Sequence, residues 1–237
     1  MSKTNIPWTE KTINVVVGCT PITTGCKNCY AKRMFKRLQA MKLQKYDCSW
    51  GDVHLDMHGW ESKMIKKPTM YFVNSMSDTF HEKLPFSDIE KIIAAITTYP
   101  QHTFQILTKR ASRMAAFFKN RIVPENLWLG VTVENKFGIP RMDYLRKIKT
   151  SSVRFISFEP LLEDVSDLHW AGIHWAIVGG ESGPKARPIK KEWIVNIQSQ
   201  CTHTAFYFKQ WGGTRPSKNG YVLNGKICRD YPNLDKV

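Results

Sequence analysis

The stretch VVVGCTPITTGCKNCYAKRM, residues 15–34, joins three local patterns. An apolar run ends at Gly18, a threonine-rich loop holds three of the chain's six cysteines, and a basic segment with helical spacing follows. A strand, a loop and a helix in this order make up the first half of a βα unit. The stretch therefore predicts an α/β fold, with Cys19, Cys26 and Cys29 just past the first strand.

The same rhythm recurs along the chain. Short, nearly continuous apolar runs, typical of parallel strands buried on both faces, lie at 13–17, 69–75, 103–107, 127–133, 153–158, 174–178 and 204–208. Segments with helical periodicity separate most of them, at 29–44, 87–98, 110–119, 138–148 and 190–200. Repeated strand–helix pairs predict a partial or closed TIM-like (β/α) barrel with about six to seven parallel strands.

Two of the helices carry finer predictions. The helix at 29–44 is amphipathic: its apolar face holds Tyr30, Met34, Leu38 and Met41, and its basic face holds Lys32, Arg33, Lys36 and Arg37. The helix at 87–98 opens with Ser87 and has Glu90 three residues later, which is the spacing of a capping box.

We expect one barrel domain over residues 1–237, with two segments that interrupt the rhythm. Residues 45–68 indicate an insertion on one rim, and residues 212–237 indicate an irregular C-terminal extension with a small hairpin around Val222–Lys226. No run approaches the roughly 18 apolar residues of a membrane span, and the N-terminus lacks an apolar signal core. We therefore expect a cytoplasmic protein with no membrane partner, in which thiols stay reduced.

The charge of the chain points to an anionic partner. Lys and Arg number 35 against 20 Asp and Glu, so the net charge is +15, and a soluble protein this basic commonly binds a polyanion. Hydrophobic residues make up 42% of the chain, which excludes a wholly disordered protein. Nucleic acid, or a nucleotide-derived substrate, is the predicted partner, and a merely basic surface is the alternative.

Polar residues follow every predicted strand, and the carboxyl ends of barrel strands are where active sites form. The candidates, in strand order, are Ser75, Ser77, Asp78, Lys109, Arg110, Glu134, Glu159, Glu181 and Lys209. Each one has a simpler explanation, because strand ends meet water. As a set, however, they predict a single site at the barrel mouth.

The cysteine triplet allows three interpretations. The thiols are free and structural, or they bind zinc, or they bind an iron–sulfur cluster. A structural zinc site needs four ligands, so Cys48, His54, His58, Cys201 or Cys228 would have to complete it. Three thiolates on a [4Fe–4S] cluster instead leave one iron open to a small-molecule ligand, which suits a cluster that does chemistry.

The cysteine stretch belongs to a set of segments that keep a fixed order along the chain. They are GCTPITTGCKNCYAKRM, DVHLDMHGWESKMIKKPTMYFVNSMSDTFHE, FQILTKR, LWLGVTVEN, RFISFEPLL, WAIVGGESGPKARP and FYFKQWGG. With them the chain resembles the radical S-adenosylmethionine (radical SAM) superfamily, in particular a phage-associated branch of largely unassigned function. It departs from the superfamily's usual Cys-x3-Cys-x2-Cys spacing, since its first gap is six residues. Asn28 also replaces the aromatic residue that commonly precedes the third cysteine, and Tyr30 follows that cysteine instead.

The resemblance implies a set of roles. Cys19, Cys26 and Cys29 would hold a [4Fe–4S] cluster that, with an external one-electron reductant, cleaves S-adenosylmethionine and starts hydrogen abstraction from a nucleobase or nucleic-acid-derived substrate. The cofactor contacts would come from Tyr30, from Ser75, Ser77 or Asp78 for the methionine ammonium, from Lys109 or Arg110 for its carboxylate, and from Glu134 for the ribose. Substrate would face Glu159, Glu181 and Lys209. If a phage encodes the protein, its compartment is the host cytoplasm.

Two non-catalytic functions remain open from the sequence. One is a nucleic-acid-binding module that holds zinc or an iron–sulfur cluster at the triplet. The other is an iron–sulfur protein that only senses or carries electrons. The aromatic side chains of Trp50, Trp60 and Trp211 are candidates for stacking on a base, although core packing is an alternative for each.

Overall fold

The computed structural model describes residues 4–236 and contains a seven-stranded parallel sheet with helices against its outer face. The sheet strands are β1 (Lys11–Ile13), β4 (Met70–Val73), β5 (Thr103–Thr108), β6 (Leu127–Thr132), β7 (Arg154–Phe158), β8 (Trp175–Gly179) and β9 (Ala205–Gln210), hydrogen-bonded in that order. The sheet curls into a half-barrel, so the predicted partial TIM-like α/β barrel is confirmed.

Five helices of the described chain lie in the intervals that the periodicity predicts, and two short ones lie in the predicted insertion and in the C-terminal extension. They are α1 (Tyr30–Ala40), α2 (Trp60–Lys63), α3 (Phe86–Thr97), α4 (Ala111–Phe118), α5 (Pro140–Arg146), α6 (Lys191–Gln200) and α7 (Pro216–Asn219). The predicted capping box at Ser87 is wrong. Helix α3 begins at Phe86, directly after Pro85 in an extended conformation, so Ser87 already lies inside the first turn and makes no side-chain cap.

The first predicted strand divides into two parts. Only β1 joins the sheet, where it pairs with β4. Val16–Val17 form a separate strand, β2, which pairs antiparallel with β3 (His54–Leu55) of the predicted insertion. The reason lies in Asn74, whose Oδ1 accepts hydrogen bonds from the backbone N–H groups of Val15 (2.8 Å) and Val16 (2.9 Å) and draws the chain out of the sheet.

Helix α1 packs through a different face from the predicted apolar one. Its buried residues are Ala31 and Phe35, whereas Tyr30 is 48% exposed and Met34 is 39% exposed. Phe35 makes an edge contact with Trp50, at a ring-centroid distance of 5.2 Å. The insertion thus supplies the packing partner of α1, and an apolar strip of the helix stays at the surface next to its basic residues.

Aromatic side chains fill the inside of the half-barrel. Trp8, Phe72, Trp128, Phe155, Trp175 and Tyr207 form this inner cluster, and all of them are buried. A second, larger core of aliphatic and aromatic side chains lies between the sheet and the outer helices. Because the aromatic rings fill the barrel interior, the open space lies at the carboxyl ends of the strands.

The C-terminal extension contains the predicted hairpin, formed by β10 (Val222–Leu223) and β11 (Lys226–Ile227) in antiparallel pairing. Of the stacking candidates, Trp60 is 5% exposed and packs in the outer core, where its ring stacks on Phe104 at 5.7 Å. It therefore cannot meet a base. Over residues 4–236, the helices are too short or too polar to cross a membrane.

Candidate functional site

A cavity of about 220 Å³ lies at the carboxyl ends of the sheet strands. The predicted site residues that line it are Cys19, Cys26, Cys29, Tyr30, Ser75, Ser77, Asp78, Lys109, Arg110, Glu159 and Lys209. Two predicted residues, Glu134 and Glu181, do not line it. The structure therefore brings together predicted side chains from four strand ends, from the cysteine loop (residues 18–29) and from the start of α1.

The cysteine loop is tied to the barrel beside Cys19 through Thr20. The Arg110 guanidinium donates from Nη2 to the Thr20 carbonyl (3.0 Å) and to its Oγ1 (3.2 Å). The ring Nε2 of His81 also lies 2.8 Å from that hydroxyl. Arg110 is 5% exposed, so these hydrogen bonds are shielded from water.

Arg110 is itself held by two carboxylates. Its Nη1 donates to Asp78 Oδ2 at 3.0 Å, and its Nε donates to Glu82 at 2.7 Å. Asp78 also accepts hydrogen bonds from Thr108 Oγ1 (2.6 Å) and from the backbone N–H of Lys109 (3.3 Å). Asp78 and Arg110, predicted to contact opposite ends of one methionine, are thus in direct contact with each other.

A second anchor lies three residues before Cys26. The Thr23 hydroxyl donates to Glu134 Oε1 at 2.6 Å. Glu134 is fully buried and forms ion pairs with Lys109 (3.3 Å) and Arg141 (2.7 Å). Burial acts to raise the pKa of Glu134, but Lys109, Thr23 and Arg141 outweigh it, so the pKa lies below its ordinary value and the carboxylate stays charged.

The loop backbone also presses against this carboxylate. A Cβ atom on Gly25 would lie 2.4 Å from Glu134 Oε1, closer than real Cβ contacts allow. Only glycine fits here without displacing the buried acid. The six-residue gap between Cys19 and Cys26 thus contains both the hydroxyl and the glycine that meet Glu134.

The third anchor lies beside Cys29. Asn28 donates from Nδ2 to Glu181 Oε2 (2.9 Å) and to the Lys185 carbonyl (2.9 Å). Arg187 holds the same carboxylate through both oxygens, at 2.5 and 2.9 Å. Burial acts to raise the pKa of Glu181, but the hydrogen bonds from Arg187 and Asn28 outweigh it and lower the pKa to about 2. Glu181 therefore holds the loop from outside the cavity.

The thiols of Cys19 and Cys26 lie in different electrostatic surroundings. Burial and the charge of Asp78 raise the pKa of Cys19 to about 12. For Cys26, burial also acts to raise the pKa, but hydrogen bonds at Ile22 and Thr23 and the charge of Lys109 lower it below its ordinary value. A cluster iron would compete with the proton at each thiol, since metal ligation requires the thiolate.

The donor set fits the group that the resemblance implies. Three free thiols line one cavity, which matches a [4Fe–4S] cluster with three thiolate ligands. Within residues 4–236, no three His, Cys, Asp or Glu side chains gather around one ion-sized position. The zinc candidates Cys48, His54 and His58 lie outside the cavity. A cubane cluster places its irons at separate corners, so its ligands do not need to meet at one point.

The side chains after β4 are engaged in local hydrogen bonds. Ser75 Oγ donates to Asn14 Oδ1 (3.1 Å), and Ser77 Oγ donates to the Val16 carbonyl (2.7 Å). The Tyr30 hydroxyl donates to the Ser75 carbonyl. Each hydroxyl oxygen donates one of these hydrogen bonds and still has lone pairs, so all three can also act as acceptors.

Glu159 and Lys209 form an ion pair in the cavity wall, at 2.7 Å. The other oxygen of Glu159 accepts hydrogen bonds from Trp8 Nε1 and from Ser157 Oγ, both at 3.2 Å. These contacts fix the carboxylate and leave an acid and a base side by side, each partly accessible. In such a pair, the lysine ammonium can donate hydrogen bonds to a bound molecule and the carboxylate can accept hydrogen bonds from it.

The sequence did not predict the side chains that bind the buried acids and so hold the cysteine loop in place. Thr23, Asn28, Arg141 and Arg187 each bind a predicted acid or hold the cysteine loop, yet none follows a strand directly. Asn28 offered one signal, because it stands where the superfamily often has an aromatic residue. The threonines offered none, since polar residues are ordinary in loops.

The chain belongs to the family described as "Protein of unknown function (DUF5131)", whose sequence model matches residues 3–232. Among curated proteins none matches this sequence. In fold the chain is similar to spore photoproduct lyase complexed with dinucleoside spore photoproduct, with a TM-score of 0.50 at 10% identity. That match covers 86% of this chain and 64% of the lyase, so the chain spans less than two thirds of the lyase's length.

A mutant of the same lyase with bound AdoMet and dinucleoside spore photoproduct gives a TM-score of 0.49 at 10% identity, covering 84% of this chain and 62% of that one. At 10% identity, the match with a TM-score of 0.50 shows a shared fold alone. It agrees with the half-barrel described above.

Proposed function

We propose that the protein is a radical SAM enzyme whose [4Fe–4S] cluster is held by Cys19, Cys26 and Cys29. One observation carries the proposal: three free thiols line the mouth of a partial barrel, and a residue close to each of them is anchored to a strand-end network. A loop of buried structural cysteines would not need three such anchors. Such a cluster, once reduced by an external one-electron donor, would supply the electron for the reductive cleavage of S-adenosylmethionine.

The chain's own residues would then bind and orient the cofactor. Lys109 is our candidate for the methionine carboxylate, in preference to Arg110, because all three nitrogen positions of that guanidinium already bind protein acceptors. Ser75, Ser77 and the Tyr30 hydroxyl oxygen are candidates for the methionine ammonium, since they line the cavity.

The buried acids take positioning roles in this proposal. Asp78 holds Arg110, Glu134 holds Thr23 and Glu181 holds Asn28, and each contact fixes one part of the cysteine loop. We therefore propose loop support for Glu134 in place of a ribose contact, and for Glu181 in place of a substrate contact. Glu159 and Lys209 remain the candidates for contact with substrate.

The proposed substrate is a nucleobase or another nucleic-acid-derived group. The net charge of +15 supports it, as does a fold shared with a lyase that was solved with a dinucleoside. Trp50 lines the cavity and offers a ring for stacking. An external one-electron reductant, a cytoplasmic location and a phage-associated origin are further parts of the proposal that follow from the sequence resemblance.

Anaerobic reconstitution tests the reaction class. The protein is loaded with iron and sulfide, reduced with dithionite and supplied with S-adenosylmethionine, and 5′-deoxyadenosine is measured by mass spectrometry. We expect 5′-deoxyadenosine from the wild type and only background from Cys26→Ser. An intact, reduced cluster that yields no 5′-deoxyadenosine would favour the electron carrier, and a colourless protein with stoichiometric zinc would favour the zinc-containing nucleic-acid-binding module.

A further inference from the structure

We propose that a groove on the outer side of the cysteine loop binds a backbone phosphate of a polynucleotide strand. The phosphate would lie next to the nucleotide whose base enters the cavity. The groove has a volume of about 290 Å³. It is lined by Lys27, Asn28, Cys29, Lys32, Arg33, Lys36, Pro184 and Lys185, so five of its lining side chains are cationic and none is acidic.

The charge in the groove is not neutralised by the protein itself. Residues 27–46 carry seven Lys and Arg and no Asp or Glu. Within the described chain, an ion pair involves only Lys45 of these seven, which contacts Asp56 at 3.0 Å. Lys32 and Lys36 are exposed on α1 and lie one turn apart. Their charges are thus available to an anion from outside the protein.

Arg33 gives the groove one fixed wall. Its Nη2 donates to the Ser182 carbonyl at 3.0 Å, which pins the guanidinium against the loop after β8. A Cβ atom on Gly183 would lie 2.2 Å from the same guanidinium, so the glycine permits this close approach. A pre-positioned guanidinium loses little side-chain entropy when it meets a phosphate, and its remaining N–H groups suit phosphate oxygens.

The groove and the cavity share a wall. Cys29 lines both of them, so one residue of backbone separates an anion in the groove from the proposed cluster site. Tyr30 and Met34 are exposed on α1, and Tyr30 also lines the cavity. A strand held by a phosphate in the groove therefore has an apolar path for the neighbouring base toward the cavity.

The concave shape favours a phosphate over the flat acidic surface of a partner protein. A phosphate group enters a pocket lined by several cations, where charge-assisted hydrogen bonds are strongest. The link to catalysis rests on the proposed function, but binding itself does not require cofactor cleavage. A binding assay therefore separates failure of this inference from failure of the proposed reaction.

The test measures binding of a labelled single-stranded DNA oligonucleotide by fluorescence anisotropy at several salt concentrations, with the cluster-loaded protein. We expect the double variant Lys32→Ala/Lys36→Ala to bind about tenfold more weakly per lysine at low salt. We also expect the slope of log Kd against log salt to fall by about 1.4, because each lost phosphate contact on a single strand removes about 0.7 from that slope. Circular dichroism checks that the variant is folded.

Lys147→Ala/Lys149→Ala is the matched control. These two exposed lysines line a second basic cavity, away from the cysteine loop. We expect this control to keep a slope closer to that of the wild type. Equal loss in both double variants would overturn the inference in favour of diffuse charge. Competition by a mononucleotide as effective as the oligonucleotide would overturn the choice of a strand, and an unchanged Kd for the α1 variant would overturn the site.

Discussion

Replacing the Thr23 hydroxyl tests the anchor that lies in the six-residue gap between Cys19 and Cys26. Thr23→Val keeps the shape of the side chain and removes the donor that lies 2.6 Å from Glu134 Oε1. A hydrogen bond to a charged, buried acceptor contributes about 1.5–3 kcal/mol. Because Lys109 and Arg141 still neutralise Glu134, we expect a loss near the lower end, about 1.5 kcal/mol, in the free energy of unfolding.

The neighbouring residue gives a matched control. Thr24 is exposed, and its hydroxyl accepts a hydrogen bond from Asn135 at 3.1 Å. Thr24→Val should change stability by less than about 0.5 kcal/mol, as surface substitutions usually do. Urea denaturation of both variants, followed by iron analysis after reconstitution, compares them directly. We expect Thr23→Val to bind less iron because Cys26 lies on the loosened part of the loop.

A double-mutant cycle assigns the loss to the contact itself. Thr23→Val combined with Glu134→Gln should show a coupling free energy of at least about 0.5 kcal/mol, since the two groups touch. If Thr23→Val and Thr24→Val have the same unfolding free energy and the same iron content, the anchor does not hold the loop, and the explanation offered for the six-residue gap fails.

Three further predictions concern the loop and its supports. Gly25→Ala should destabilise the protein by about 1–3 kcal/mol and lower its iron content, because the new methyl meets Glu134, whereas Gly51→Ala has open space and should match the wild type in thermal denaturation. Glu181 has a pKa of about 2 against an ordinary 4.5. Its contribution to the free energy of unfolding, roughly 3 kcal/mol, is therefore present above pH 4.5 and is lost as the pH falls toward 2. In the cluster-free protein, Glu181→Gln should flatten the curve of stability against pH over that range. Cys48→Ser should retain the full iron content, since Cys48 lies outside the cavity.

The sequence predicted the strands well because each is buried on both faces and therefore apolar throughout. It placed the first strand too late because the sequence does not reveal that Asn74 binds Val15 and Val16 from about 58 residues away. It also chose the wrong face of α1, since the helix packs against Trp50 in an insertion whose position depends on tertiary contacts.

The candidate site followed the same pattern. The carboxyl ends of barrel strands converge, and this rule correctly predicted most of the side chains that line the cavity. It could not separate residues that face the cavity from residues that support the loop behind it. Glu134 and Thr23 are 111 positions apart, and a pairing at that separation leaves no local pattern in the sequence. The supporting roles therefore emerged only from the hydrogen bonds.

The most direct test of the central claim is the electron paramagnetic resonance spectrum of the reduced, reconstituted protein before and after S-adenosylmethionine is added. A cluster held by Cys19, Cys26 and Cys29 has one iron free to take the cofactor, so we predict a reduced [4Fe–4S] signal whose g-values shift on addition, and no such signal from Cys26→Ser. A spectrum that does not change with S-adenosylmethionine, or a cluster that survives in Cys26→Ser, would contradict the account.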